Sequence, residues 1–84
     1  MDVFIYLPPN LGMAKDEIED DLEASLGDLG EVTGGGIGNL GMSVDLNVAD
    51  SLSTNRVLAM VRESLHRLGV LQGTISVEGT KYPV

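Results

Sequence analysis

Apolar and polar positions alternate at three places along this chain and recur at helical spacing at two others. In "DVFIYL" (Asp2–Leu7), Val3, Ile5 and Leu7 alternate with Phe4 and Tyr6, which predicts a strand with one inward face, closed by Pro8-Pro9. Further on, Met42, Val44, Leu46 and Val48 alternate with Ser43, Asp45 and Asn47, predicting a second one-sided strand. Ile75 and Val77 mark the inward positions of a last strand in "GTISVEG", followed by a short tail from Thr80 to Val84. A short strand around Glu31–Thr33 dissolves into glycines and forms a hairpin with the strand that follows.

Helical spacing appears first in "KDEIEDDLEASLGDLG". Ile18, Leu22, Leu26 and Leu29 form one stripe, acids fill the remaining positions, and Gly27 or Gly30 supplies the stop. Leu58, Val61, Leu65 and Leu68 form the stripe of a second helix, with Ser53 as N-cap, Gly69 as stop and a favourable Glu63–Arg67 pair at i,i+4. The resulting order is β-α-β-β-α-β. It predicts an α+β fold, a ferredoxin-like βαββαβ plait with two helices packed on one face of a four-stranded antiparallel sheet. Right-handed crossovers place both helices on the same face and leave the other open. At 84 residues the chain is read as a single domain spanning 1–84, because halves would be too small to bury a core.

Charge changes the picture more than composition does. The net charge is −8, and the first 42 residues carry nine acids against Lys15, whereas residues 43–84 carry four acids and four bases. The first helix, Lys15 to Asp28, holds seven carboxylates and one lysine, a net of −6; the second, Thr54 to Leu68, holds three arginines and one glutamate, a net of +2. Such a charge repels nucleic acid and anionic lipid and draws basic partners. There is no cysteine, which excludes disulfides and thiolate metal sites, and no signal-like or membrane-spanning run is visible, so a cytoplasmic location is expected.

The stretch "GGGIGNLG" contains G-x-G-x-x-G at Gly36, Gly38 and Gly41, the spacing of a dinucleotide-binding turn. That turn needs a helix after it, and Gly41 runs instead into an alternating strand, so the glycines read as a flexible hairpin or bulged edge. "DLNVAD" (Asp45–Asp50) begins like a calcium loop but has Ala49 and Asp50 where a ligand and a glycine are needed, and no metal site or cofactor is expected. His66, the one histidine, falls beside Arg67 on the polar side of the second helix, and no nucleophile–base constellation accompanies it. The chain therefore reads as a non-enzyme with no catalytic residues.

The chain resembles several plait families: acylphosphatases in order of elements, heavy-metal chaperones, and ACT-type regulatory domains in size. "LPPNLGM" lacks the arginine-bearing phosphate loop of the first and the paired cysteines of the second. The ACT resemblance rests on Gly12, near the turn where such domains bind amino acids, and implies a small-ligand sensor. Two functional expectations follow. The first is a protein-binding module, of the kind by which small acidic inhibitor or immunity proteins mask nucleases, docking an unknown basic partner through Glu17, Asp20, Asp21 and Glu23. The second is an ACT-like ligand-sensing domain that uses the glycine-rich loop end, with Asn10, Gly12, Gly35, Gly38 and Asn39 as contacts. Phe4 and Tyr6 on the open sheet face are candidates for an interaction surface, covered by a second copy of the chain (a homodimer) or by a protein partner.

Overall fold

The computed structural model describes residues 1–84, and the alternating and helical stripes of the sequence meet there in one core. The strands are β1 (Asp2–Leu7), β2 (Gly30–Gly38), β3 (Gly41–Val48), β4 (Thr74–Val77) and β5 (Thr80–Pro83); the helices are α1 (Lys15–Leu26) and α2 (Thr54–Arg67). A single 3-10 turn, Gly27–Leu29, links α1 to β2. All strand pairings are antiparallel and the sheet order is β2-β3-β1-β4-β5.

The core consists of 16 buried side chains, and its composition follows directly from the period-2 pattern. Val3 pairs with Leu46 and Val77, and Ile5 with Val44 and Ile75, so one face of the three central strands is continuous hydrocarbon. Ile18, Leu22 and Leu26 of α1 and Val57, Leu58, Val61 and Leu65 of α2 pack on that face. Shifting any of these strands by one residue would turn its whole apolar set to water, which is why the register is fixed.

The expectation of a four-stranded plait needs correcting. The fold is α+β with two helices on a five-stranded antiparallel sheet, because the expected tail Thr80–Val84 returns as β5 beside β4. Glu78 (φ 49°) and Gly79 (φ 84°) form the two-residue connection, with both φ values positive as a type I′ hairpin requires. Tyr82 then lies opposite Ile75, half-buried against the core. β2 also extends much further than Glu31–Thr33. It continues through the glycines to Gly38, after a register shift between Val32 and Gly34, and only Asn39 and Leu40 remain as the hairpin turn.

The first helix ends earlier than Asp28, at Leu26, and its N-cap Ala14 offers no side-chain hydrogen bond. α2 behaves as its sequence indicates: the Ser53 hydroxyl accepts from the Arg56 amide at 3.2 Å, and Gly69 (φ 83°) follows the last turn.

Candidate functional site

The G-x-G-x-x-G stretch lies wholly in the β2–β3 hairpin, with Gly38 opposite Gly41 and Gly36 opposite Ser43. No helix begins there, so no dipole or row of free amides faces a phosphate. Gly41 is required for a different reason. It adopts φ 133°, and a β-carbon built on it would collide with the Leu7 carbonyl oxygen of β1. A β-carbon on Gly38 would meet open space.

The acidic face of α1 divides into three parts. On the side toward α2, Asp21 is fully engaged: its Oδ1 accepts from Arg67 Nη2 at 2.6 Å and from Ser64 Oγ at 2.7 Å, and Arg67 Nη2 also donates to Ser25 Oγ at 2.8 Å. Arg67, and after it Ser64, hold the Asp21 carboxyl below the ordinary carboxylate range, and Asp21 in turn raises the Arg67 guanidinium. On the side toward β2, Lys15 Nζ donates to Glu19 at 2.7 Å, and the lysine stem lies against Gly35. The outward part consists of Asp16, Glu17 and Asp20, with Glu23 at its margin toward β2; all four are exposed and make no ion pair with any cation of the chain.

Three of the four carboxylates expected at a partner surface, Glu17, Asp20 and Glu23, are thus exposed, while Asp21 fastens the two helices together. Sequence spacing suggested Glu63 as the partner of Arg67, but that pair is long, at 3.8 Å. The signal for the clamp was present as two offsets, Asp21/Ser25 at i,i+4 and Ser64/Arg67 at i,i+3, each placing two polar groups on one helix side. Which helix sides meet is not encoded in either offset.

At the glycine-rich end, a hollow is lined by Pro8, Pro9, Asn10, Gly38, Asn39 and Met42. It brings together three of the five residues expected to touch a small ligand. Gly12 and Gly35 lie outside it, and the space above Gly35 is filled by Lys15 and the Ser43 carbonyl. Asn10 holds φ 65°, an αL conformation that asparagine tolerates.

Phe4 and Tyr6 stand on the sheet face away from the helices, 37% and 48% exposed. Their strand neighbours are Asp45 and Ser76 for Phe4, and Ser43 and Thr74 for Tyr6. Glu78 lies beyond this face, in the β4–β5 turn. His66 Nε2 is 3.0 Å from the Val84 oxygen, which can only accept, so this ring nitrogen carries the proton; Arg62 donates twice to the Pro83 oxygen, at 2.7 and 3.1 Å. These two α2 side chains fasten the last strand and are not aimed at a cavity. Asp45, Asn47 and Asp50 do not converge either: Asn47 donates to Asp2, and Asp50 accepts from the Met1 ammonium at 2.7 Å, which lowers its pKa. No group of three or more His, Cys, Asp or Glu side chains is arranged to hold a metal ion. No helix is long and apolar enough to cross a membrane.

No family model, no curated protein and no solved structure matches this chain.

Proposed function

We propose that this protein is a non-enzymatic binding module of ferredoxin-like plait type, extended by a C-terminal strand, that docks a basic protein through α1. The observation that supports it is the state of the α1 carboxylates. Local cations are already taken, Lys15 by Glu19 and Arg67 by Asp21, yet Asp16, Glu17, Asp20 and Glu23 stay exposed and unneutralised. Carboxylates crowded on one helix repel one another, and a basic partner relieves that repulsion on binding. Long-range attraction then makes association fast and sensitive to salt.

The test compares the wild type with a variant carrying Asp16→Asn, Glu17→Gln, Asp20→Asn and Glu23→Gln, leaving Asp21 and its clamp intact. Captured proteins are identified from a lysate, purified, and titrated at low and high salt. A basic protein that binds the wild type, is released by salt and is lost with the variant supports the reading. Equal binding of both overturns it.

A second reading, an ACT-like ligand-sensing domain, is favoured by the convergence of Asn10 and Asn39 on one hollow with Gly38. It predicts amide shifts at Gly38, Asn10 and Asn39 when an amino-acid panel is added. The absence of shifts across the panel counts against it.

A further inference from the structure

The two edges of the sheet are finished differently. β5 is four residues long and contains Lys81 and Pro83, and the Pro83 and Val84 oxygens are already taken by Arg62 and His66. Charge, proline and shortness are the features that keep an edge from pairing with another chain. β2 has only Glu31, near its start. It runs for nine residues, contains no proline, and no charged residue occurs from Val32 to Val44. Its residues make no backbone hydrogen bond outside the ladder with β3. Beyond the irregularity at Thr33, the stretch Gly34–Gly38 presents four glycines and the 73%-exposed Ile37, so few of its own side chains stand between this edge and another backbone.

α1 supplies the chemical character of that edge. Lys15, Glu19 and Glu23 recur at i,i+4 and so share one side of the helix, and Lys15 shows that this side lies over β2, against Gly35. Glu23 is exposed one turn beyond Glu19, and Glu31 is exposed at the start of the strand. An added strand would therefore run beneath carboxylates.

We infer that the basic partner engages as an extended segment, added as a strand to the outer edge of β2 along Gly34–Gly38, with Lys or Arg side chains on the α1 side. This rests on the docking reading above and specifies its geometry. Backbone hydrogen bonds supply the pairing and the α1 carboxylates select the charge. A second copy of the chain is disfavoured at this edge, since it would set one α1, with its net −5, beside another.

The probes are capped peptides of equal charge, Lys-Val-Lys-Val-Lys-Val-Lys and its proline-interrupted form Lys-Val-Lys-Pro-Lys-Val-Lys, titrated at low salt and followed by amide exchange. The alternating peptide is expected to bind on the order of tenfold more tightly, because proline removes a ladder donor. It should also slow exchange within Gly34–Gly38, and Glu19→Gln with Glu23→Gln should weaken it several-fold. Equal binding of the two peptides overturns strand addition and leaves charge docking standing. Failure of both to bind removes charge docking as well. A free protein that sediments as a dimer with Gly34–Gly38 already protected assigns the edge to a second copy and overturns the inference.

Discussion

Asp21 accepts hydrogen bonds from Ser64 and Arg67, with Ser25 at the limit of bonding distance, and its loss would leave the fully buried Ser64 hydroxyl unpartnered. An unsatisfied buried donor costs about 1–3 kcal/mol, so Asp21→Ala should destabilise by that order in urea unfolding. Ser64→Ala should cost less, because Asp21 keeps Arg67 and access to water. The pH dependence follows from the lowered folded-state pKa of Asp21. Its contribution is complete above the unfolded-state value, about 3.9, and is lost as pH falls through the lower folded value. The stability gap between wild type and Asp21→Asn should hold from pH 7 down to about 4 and narrow only below that. Glycines give a second contrast at this scale. Gly41→Ala forces φ 133° on a residue with a β-carbon aimed at the Leu7 carbonyl and should cost at least about 2 kcal/mol. Gly38→Ala, with open space around it, should be neutral or stabilising by up to about 1 kcal/mol through the unfolded chain. A thermal melt of the pair separates a hairpin role for the glycines from a uniform requirement for the whole motif.

At the scale of elements, the two helices begin in opposite ways. Ser53 caps α2 with its hydroxyl, whereas Ala14 has the extended backbone of an N-cap (φ −75°, ψ 147°) without an acceptor. Ser53→Ala should cost about 1 kcal/mol and Ala14→Ser should contribute about 0.5–1 kcal/mol, read as opposite shifts in urea midpoint. The first turn of α1 relies instead on Asp16 and Glu17 facing the positive end of the helix dipole. Strand legibility followed the side chains. β1 and β3 were readable because alternation and burial coincide in them. The far half of β2 was not, since Gly34, Gly35, Gly36 and Gly38 carry no side chain to alternate. β5 was missed because "TKYP" exposes three of its four residues and only Tyr82 turns inward.

For the whole molecule, carboxylates outnumber cations by 13 to 5, and most of the excess lies on one helix. Self-repulsion of that kind opposes the folded state and is screened by added salt. The melting temperature at pH 7 should therefore rise by a few degrees between about 10 and about 300 mM NaCl, and the fourfold α1 variant, with much of that repulsion removed, should show a smaller rise. A salt response that is flat in the wild type would mean that the exposed carboxylates are too well solvated to repel, and it would weaken the case for a basic partner.

The sequence by itself determined the order of the elements from β1 to β4, the inward faces of β1, β3, β4 and the two helices, the Ser53 cap and the acidic character of α1. These follow from periods of 2 and 3.6 and from local chemistry, which need no knowledge of distant residues. Tertiary structure alone decided that Asp21 belongs to Arg67 and Ser64, that Lys15 lies over Gly35, and that the last residues close one sheet edge while β2 leaves the other open. Pattern along a chain records which side of an element is buried, not which element buries it. Sheet edges are set by backbone groups common to nearly every residue, so the sequence distinguishes an open edge from a closed one only weakly.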